Sequence, residues 1–466
     1  MRNERSDAPL MLSVSGARGL IGSSMTPEVA ANIAAAFGSQ TKSMHSGDSP
    51  TICLGRDGRG SGLELSDAAA GALIKTGCSV VDLGIVATPT VGVMTRELGA
   101  HGGLVVTASH NPIQWNGIKC LDSDGLAPPP EEAKRIIDRF KSQDFDFVES
   151  DQVGTITKND RGTRIHVDRV LSIIDRDAIR AKNFTVVLDS VNASGSAGGK
   201  MLLEELGCTL EHLNAEHTGV FAHSPEPIEE NLVDLASHTA NTANSACGFA
   251  QDPDADRLAI VDENGRYIGE EFTLVLAALR MLQTQGAITL VTNLSTSRML
   301  DDLAGLFPGA SVQRTAVGEA NVVAGMRASG SPLGGEGNGG VIVPAVGWIR
   351  DSLVAMALVL DLLATEDRAL SSIVNELPRY SMVKSKFDLS AIGGRDAIDP
   401  ALEKLQSHYR SARLSDVDGI RIDLENGWAH IRASNTEPII RVITEAASQK
   451  EAEQLGQEVL AASGLA

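Results

Sequence analysis

The sequence predicts an α/β protein in which three similar mixed α/β domains are followed by a smaller C-terminal α+β domain. Three observations support this. The chain has 466 residues, and at about 150 residues per domain this corresponds to three or four domains. Apolar strand-like runs alternate with helical stretches over most of the chain. After Leu377-Pro378 the pattern changes to strand-rich segments.

The first two predicted domains cover residues 1–158 and 159–265. In the first, helical stretches separate three apolar strands, whose sequences are TICLG, CSVVDLG and GGLVVTAS. In the second we expect a helix over residues 165–179, the strand FTVVLDS and an apolar strand that ends at Asp252. Strands that alternate with helices in this way are typical of α/β domains.

The third and fourth predicted domains cover residues 266–379 and 380–466. The third continues the alternation and contains a glycine-rich segment that predicts a hairpin, LGGEGNGGVIVP. In the fourth, Asn426-Gly427 lies between alternating residues, which is a typical two-residue hairpin turn. A helix is expected to close the chain.

Composition limits the classes of partner. The chain carries 60 acidic and 40 basic residues and a formal net charge of -20, which repels nucleic acid and anionic membranes. The longest apolar run, residues 353–364, is interrupted by Asp361 and is too short to span a bilayer. We therefore expect no nucleic-acid or membrane partner. An anionic small substrate would require a local basic site and a divalent cation.

The cysteines and the N-terminal segment predict the compartment. The five cysteines are widely spaced and contain no C-x-x-C pair, which favours a reducing environment. The N-terminal segment has no continuous apolar region of the kind found in export signals. We expect a cytoplasmic protein.

The first candidate for chemistry is Ser109, in the motif Thr-Ala-Ser-His-Asn-Pro that follows the strand GGLVVTA. At the end of a strand we expect its hydroxyl to be exposed and reachable. Lys119, ten residues later, could return its ammonium group to the same place. The same residue types also form ordinary turns, so the motif is compatible with a purely structural role.

The second candidate is a run of three alternate carboxylates, Asp252, Asp254 and Asp256, directly after an apolar strand. In extended backbone they would face one side and repel each other unless a cation neutralised them. Ligation by oxygen alone suits a hard ion such as magnesium. A solvated acidic turn is the alternative, whereas a calcium loop of the EF-hand type lacks its required glycine and distal glutamate.

Two further segments have binding chemistry. Glu336 and Asn338 lie in the glycine-rich segment and could bind sugar hydroxyls, although such glycines often serve geometry alone. The loop from Arg432 to Pro438, with Arg441 beyond it, offers arginines, hydroxyls and an amide for a phosphate dianion. Alternatively, these residues could end a strand and pair with surface acids.

Taken in order, these four segments resemble the α-D-phosphohexomutase superfamily over nearly the whole chain. The resemblance implies four domains around a central cleft, each contributing one loop. It also implies an isomerase that moves phosphate between two positions of a hexose phosphate through a phosphoserine. One Mg²⁺ per active site and a hexose 1,6-bisphosphate intermediate belong to this chemistry, and the partner is a small hexose phosphate bound by a monomer or homodimer.

The resemblance also implies roles for individual residues. Ser109 would be the phosphoserine, with Arg18 and Lys119 as the basic residues at the reacting centre. The metal ligands would be Ser109, Asp252, Asp254 and Asp256. The substrate would be bound by His110, Arg257, Glu336, Asn338, Arg432, Ser434, Asn435, Thr436 and Arg441.

The sequence departs from the family pattern in the glycine-rich segment. Many bacterial members carry Gly-Glu-x-Ser-Gly-His, where this chain has Asn338 and Gly340 in place of the serine and histidine. The Glu437-Pro438 and Arg441 pattern favours the hypothesis of a phosphoglucosamine mutase. A phosphomannomutase/phosphoglucomutase is the alternative, and a sugar-phosphate phosphatase or a non-catalytic binding protein are further hypotheses.

Overall fold

The computed structural model describes residues 9–45, 49–388, 394, 397–433 and 439–465. These residues form two compact units. Unit 1 contains Met1–Arg280 and Asn338–Val374, and unit 2 contains Met281–Gly337 and Asn375–Ala466.

The N-terminal part of unit 1 is built around a seven-stranded sheet. Its elements are β1 (Met11–Ser13), β2 (Gly16–Leu20), α1 (Pro27–Met44), β3 (Thr51–Arg56), α2 (Gly62–Lys75), β4 (Ser79–Ile85), α3 (Thr88–Glu97), β5 (Gly102–Val106), β6 (Trp115–Leu121), α4 (Pro130–Ser142) and β7 (Ile156–Lys158). The strand order is β1-β2-β6-β5-β3-β4-β7. Strand β3 pairs in parallel with β4 and β5, whereas β6 pairs antiparallel with β5 and β2. The three predicted strands are confirmed as β3, β4 and β5.

Local chemistry explains how helix α1 begins and packs. The hydroxyl of Thr26 accepts a hydrogen bond from the amide of Val29, and Pro27 occupies the start of the helix. Both are typical helix-start features. Its buried face is lined by small residues such as Ala30 and Ala34, which allow α1 to pack against α2.

The second sheet of unit 1 carries the aspartate run. Its elements are α5 (Gly162–Leu171), α6 (Arg176–Lys182), β8 (Thr185–Asp189), α7 (Gly195–Glu205), β9 (Thr209–Leu213), a 3₁₀ turn (Glu229–Asn231), α8 (Val233–Asn241), β10 (Ser245–Gln251) and β11 (Leu258–Asp262). The strand order is β11-β10-β8-β9, and only β11 runs antiparallel to its neighbour. Asp252 therefore lies at the carboxyl end of β10.

One predicted element of this region is wrong. The sequence predicted a single helix over residues 165–179, but the chain forms α5 and α6 with a break between them. The break has a local cause, because the side chain of Asp175 accepts a hydrogen bond from the amide of Ala178 and so starts a new helix.

The later elements of unit 1 include a fully buried helix. In this stretch the structure has α9 (Glu271–Gln285), which begins in unit 1, then β15 (Gly340–Ile342), α12 (Ser352–Glu366) and α13 (Leu370–Glu376). Every residue from Ser352 to Ala364 is buried, and the single acid among them, Asp361, is paired with Arg280. Among the described residues there is no helix whose length and apolar character would let it cross a membrane.

Unit 2 contains two sheets. The first is formed by β12 (Thr289–Asn293), α10 (Met299–Gly305), β13 (Ser311–Thr315), α11 (Glu319–Ser329) and β14 (Leu333–Glu336), with β12 between β13 and β14 and all three parallel. The second is formed by β16 (Ser381–Asp388), α14 (Ile398–His408), β17 (Arg413–Ser415), β18 (Ile420–Leu424), β19 (Gly427–Ala433), β20 (Ile439–Ala446) and α15 (Gln449–Ser463).

The second sheet of unit 2 is antiparallel, in the order β16-β20-β19-β18-β17, and α14 and α15 pack on its apolar residues. A hairpin is confirmed at this place, but its turn lies one residue earlier than the predicted Asn426-Gly427 turn. Leu424 pairs with Gly427, so Glu425 and Asn426 form the two-residue connection and Gly427 begins β19. The sequence-based domain boundaries remain predictions.

Candidate active site

Ser109 lies three residues beyond the end of β5 in a strained conformation. Its φ is 50°, a value that is uncommon for residues other than glycine, and its amide donates to the hydroxyl of Thr107 over 2.8 Å. Its Oγ lies 3.0 Å from Asp252 Oδ2 and 3.4 Å from His110 Nδ1. The expectation of an exposed serine is wrong, since only 1% of Ser109 is accessible. The residue is buried against the aspartate run.

Asp252, Asp254 and Asp256 converge, but not by the geometry that the sequence suggested. The run is a tight turn rather than extended backbone, with Ala255 at φ 54° and its amide donating to the carbonyl of Asp252 over 2.9 Å. All three carboxylates are buried, and one oxygen from each lies within 4.8 Å of the others. The acidic run is therefore a buried cluster and not a solvated turn.

Two cations lie directly against this cluster. Lys119 Nζ lies 2.5 Å from Asp254 Oδ2 and 3.0 Å from Asp256 Oδ2, and Arg350 donates to Asp256 Oδ2 over 2.6 Å. Burial and Asp256 favour the neutral form of Asp254, but Lys119 outweighs them and holds its pKa below the ordinary value. Burial lowers the pKa of Lys119, but Asp254 and Asp256 outweigh burial and the pKa lies above its usual value.

The cluster fits a divalent cation. Burial, followed by the charges of Asp256 and Asp254, raises the pKa of Asp252 well above its ordinary value. Within the part of the chain that the structure describes, neither Asp254 Oδ1 nor Asp256 Oδ1 accepts a hydrogen bond. Buried carboxylate oxygens of this kind are costly unless a cation or a donor satisfies them. A hard, oxygen-preferring ion would satisfy both.

Arg18 and Arg257 complete the charge pattern around the cluster. Arg18 lies on β2, next to β6, which carries Lys119, and its Nη1 donates to Asn111 Oδ1 over 3.1 Å. Burial lowers the pKa of Arg18. The amide of Arg257 donates to Asp252 Oδ1 over 3.1 Å. Burial, with the charges of Arg257 and Arg18, lowers the pKa of His110 to about 3, so that the imidazole is neutral.

A buried arginine that the sequence analysis missed holds the Ser109 loop. Arg59 is 1% exposed and its Nε pairs with Asp57 Oδ2 at 2.9 Å. Its two terminal nitrogens donate to the carbonyl oxygens of Ser109, Asn111, Pro112 and Trp115 over 2.6 to 2.8 Å. Thr107 donates to Asp57 Oδ2 over 2.7 Å, which joins the pair to the residue that supports Ser109.

The position of this pair in the sequence could have revealed it. Asp57 directly follows β3, and β3 and β5 are parallel neighbours. Parallel neighbours end at the same edge of a sheet, so polar residues that follow them lie close together.

Asn338 belongs to unit 1. The carbonyl of the next residue, Gly339, accepts a hydrogen bond from the amide of Leu258, which begins the strand after the aspartate run. Within the described residues, the buried Oδ1 of Asn338 has no hydrogen-bond partner. This leaves an acceptor for a ligand.

Glu336 belongs to unit 2, where it ends β14. It is 5% exposed, and its Oε1 accepts a hydrogen bond from Asn293 Nδ2 over 2.9 Å. Asn293 ends the parallel neighbour β12, so both polar side chains follow the same edge of this sheet. The carboxylate of Glu336 is therefore held by a neighbouring strand end.

Unit 2 also contains the pair of arginines that the sequence predicted to bind phosphate. Arg432 on β19 and Arg441 on β20 are direct cross-strand partners, and Arg432 forms an ion pair with Asp418 at 2.9 Å. Like charges that face each other across strands are unfavourable, and a bound anion would relieve this repulsion. The predicted ligands Ser434, Asn435 and Thr436 lie outside the described residues.

Comparisons with known proteins identify the family and the fold of the chain. Four family models match in order: domain I of phosphoglucomutase/phosphomannomutase over residues 11–147, domain II over 164–265, domain III over 269–380 and the C-terminal domain over 390–462. The four-domain α/β fold expected from the resemblance is confirmed.

Individual relatives cover almost the whole chain. A phosphoglucomutase/phosphomannomutase from Thermococcus kodakarensis is 37% identical over 94% of this chain and 95% of its own length. A probable phosphoglucosamine mutase from Methanopyrus kandleri is 35% identical over 95% of each chain. A phosphoglucomutase/phosphomannomutase family protein from Burkholderia thailandensis has a similar structure, with a TM-score of 0.84, 27% identity and coverage of 97% of this chain and 98% of its own. The chain belongs to the phosphoglucomutase/phosphomannomutase family of phosphohexomutases.

Proposed function

We propose that this phosphohexomutase interconverts glucosamine 6-phosphate and glucosamine 1-phosphate through a phosphorylated Ser109. The observation that carries this proposal is the 3.0 Å contact between Ser109 Oγ and Asp252. This contact supports the proposal because the serine of the Thr-Ala-Ser-His-Asn-Pro motif lies against a buried cluster that would suit a divalent cation. Phosphoryl transfer needs positioning and charge neutralisation above all, and this centre provides both.

The metal ligands in this proposal are Ser109, Asp252, Asp254 and Asp256, and the ion is Mg²⁺. When bound, a magnesium ion neutralises charge on the phosphoryl oxygens. The protein's own cations, Arg18, Lys119 and Arg257, surround the same centre and would hold the phosphoryl group in line with the attacking hydroxyl.

The reaction conserves the phosphate on the enzyme. The free hydroxyl of a bound hexose phosphate attacks the phosphorus of phosphoserine, the P–O bond to Ser109 breaks, and Oγ keeps the electron pair. The proton of the attacking hydroxyl is transferred to Ser109 Oγ as that oxygen leaves, while Arg18 and Lys119, which are cations at this centre, stabilise the negative charge that develops during the transfer. The resulting hexose 1,6-bisphosphate reorients and returns its other phosphoryl group to Ser109.

The remaining predicted residues would bind the part of the substrate that does not react. Arg432 and Arg441, with Ser434, Asn435 and Thr436, would hold the second phosphate. Sugar hydroxyls would be bound by the neutral imidazole of His110, the carboxylate of Glu336 and the amide of Asn338. We also propose a cytoplasmic location, which is supported by five cysteines that are all free thiols.

Mass spectrometry and isomer formation test this function together. Purified protein is incubated with glucose 1,6-bisphosphate and mapped by peptide mass, and we expect a phosphate on Ser109. Turnover of glucosamine 6-phosphate with Mg²⁺ is then expected to give the 1-phosphate with a catalytic amount of bisphosphate. A Ser109 that never carries phosphate, or steady release of inorganic phosphate without isomer formation, would contradict the mutase and favour a phosphatase.

Sugar preference is tested separately. The relatives from Methanopyrus kandleri and Methanococcoides burtonii are named probable phosphoglucosamine mutases, whereas the Thermococcus kodakarensis relative that is 37% identical is named phosphoglucomutase/phosphomannomutase. The second name supports a phosphomannomutase/phosphoglucomutase as the alternative. Comparing kcat/KM for glucosamine, mannose and glucose phosphates decides between them, and a strong preference for mannose would overturn glucosamine.

A further inference from the structure

The space in which a side chain of residue 340 would begin is filled by the side chain of Arg350. A Cβ added to Gly340 would lie 2.3 Å from Cδ and 2.9 Å from Cγ of Arg350, far inside contact distance. The φ of Gly340 does not lie in the left-handed region, so its backbone does not require glycine. The methylenes of Arg350 require it. This is the position at which the Gly-Glu-x-Ser-Gly-His pattern has its histidine.

The guanidinium of Arg350 ends at the candidate metal site. One terminal nitrogen donates to Asp256 Oδ2 over 2.6 Å, and its side chain is 12% exposed. The other carboxylate oxygen of Asp256, Oδ1, accepts no hydrogen bond within the described residues. Arg350 thus engages the same oxygen of Asp256 as Lys119, whose Nζ lies 3.0 Å from it. Oδ1 faces the more distant Arg257 Nε at 3.8 Å and remains an acceptor for a ligand.

The segment that carries Arg350 is anchored to the aspartate run. The amide of Ser352 donates to the carbonyl of Ala255 over 3.2 Å, and the amide of Asp351 donates to the carbonyl of Val341 over 2.9 Å. Asp351 also pairs with the buried His166 at 2.6 Å. The backbone on both sides of the contact between Arg350 and Asp256 is therefore held in place, which makes the contact a fixed part of the fold.

We propose that Arg350 is a positioning residue of the reacting centre and that it orients Asp256 for a divalent cation. Because Gly340 has no side chain, the methylenes of Arg350 have room to pass and the guanidinium reaches Asp256. In this chain the space beside residue 340 is filled by the side chain of Arg350 and not by a side chain of residue 340 itself. The inference rests on the proposed function of the aspartate cluster as a magnesium site. It gives Arg350 a role that no motif in the sequence indicated.

Direct Mg²⁺ binding separates positioning from simple charge. Removing a positive charge beside a cation site strengthens cation binding by Coulomb's law, whereas losing the support of a ligand typically weakens it by about 10- to 100-fold. We expect Arg350→Met to weaken Mg²⁺ binding at least about tenfold in calorimetric titrations. Tighter or unchanged binding would overturn the proposal.

Gly340→Ala tests the same contact without changing any charge. Its Cβ would displace the methylenes of Arg350, so we expect a similar loss of Mg²⁺ affinity. The double variant Gly340→Ala/Arg350→Met should bind no more weakly than either single variant, because both remove one interaction. Additive losses would show that the two residues act separately and would contradict the inference.

Matched control variants distinguish a loss of the Arg350 contact from a loss of folding and from a failure of the proposed metal site. Gly71→Ala introduces a Cβ that meets nothing within 4 Å. Arg280→Met removes a partly buried arginine paired with Asp361, and its side chain is as exposed, at 12%, as that of Arg350. Both variants should bind Mg²⁺ like the parent protein. Thermal denaturation checks folding, and intact mass matches the phosphate content of Ser109 between samples. A parent protein that binds no Mg²⁺ would refute the proposed metal site, whereas a parent that binds and variants that bind equally would refute the role of Arg350 alone.

Discussion

The candidate residues of unit 1 and those of unit 2 handle charge in opposite ways. In unit 1, Asp254 and Asp256 lie against Lys119 and Arg350, so the buried charges are largely matched within the protein. In unit 2, Arg432 and Arg441 face each other across β19 and β20, with Asp418 against Arg432. The first arrangement is a preorganised centre for chemistry, and the second sets two like charges side by side on neighbouring strands, which favours an anion there. Variants in unit 1 should therefore change kcat, and variants in unit 2 should change KM.

The largest expected effect is at Ser109. Ser109→Ala removes the group that carries the phosphate, and we expect kcat to fall by ~10⁴-fold or more, as for other enzymes that lose their nucleophile. Binding of hexose phosphate, measured by calorimetry, should remain close to that of the parent protein because the arginine pair is untouched. A loss of binding in this variant would contradict the division between the two regions.

The next effect concerns the stability of the folded protein, to which the charges of Asp252 and Asp254 contribute with opposite signs. The pKa of Asp252 is raised in the folded state, so above its unfolded value of about 3.9 its charge destabilises the folded protein. The pKa of Asp254 is lowered, so its charge stabilises the folded protein above that value, and this contribution is lost as the pH falls. In EDTA at pH 7, Asp252→Asn should raise Tm and Asp254→Asn should lower it.

Both of these variants should nevertheless lose Mg²⁺-dependent turnover by about 10³-fold, because each removes a proposed metal ligand. The stability difference between Asp252→Asn and the parent should shrink as the pH falls toward the unfolded value of about 3.9, because the raised pKa means that Asp252 of the folded parent gains its proton at a higher pH than in the unfolded chain. Thermal denaturation in EDTA across this pH range measures it. Equal shifts of Tm in the two variants would show that the charge pattern of unit 1 is not as described.

A smaller effect is expected in unit 2. Arg432→Ala should raise KM for hexose phosphate by about 10- to 100-fold with little change in kcat, since binding in the ground state and in the transition state is lost equally. Arg413→Ala, an exposed arginine on β17 of the same sheet, is the control and should leave KM unchanged. A fall in kcat with an unchanged KM would place Arg432 in the chemistry instead.

The smallest effect tests how the Ser109 loop is held. Thr107→Val removes the hydroxyl that donates to Asp57 and accepts from the amide of Ser109, which costs about 1–3 kcal/mol for the groups left unpaired. We expect kcat to fall about tenfold. Thr95→Val removes a buried hydroxyl that donates to Val91 in α3, and it should lower Tm without changing kcat. If both variants lower kcat equally, the hydrogen bonds of Thr107 to Asp57 and Ser109 have no specific role in catalysis.

Local patterns were sufficient for much of the fold and for the chemical centres. The strand before Ser109, the strand before Asp252 and the hairpin at Asn426 could all be recognised because their signals lie within about ten residues of each other. The split between α5 and α6 was missed although its cause, the cap at Asp175, is also local. The loop from residue 434 to 438 was recognised as a binding motif and lies outside the described residues.

The amino-acid sequence by itself determined the order of the elements and the acidic and basic motifs, because these follow from short-range spacing. It also determined that an anionic substrate needs a cation and a local basic site, because this follows from the net charge. Only the tertiary structure decided that Ser109 is buried, that Arg59 holds its loop across 50 residues and that Arg350 reaches Asp256 across 94. The contacts of Arg59 depend on which strands end at the same edge of the sheet. The contact of Arg350 depends on its methylenes filling the space next to Gly340. Neither is encoded by neighbouring residues.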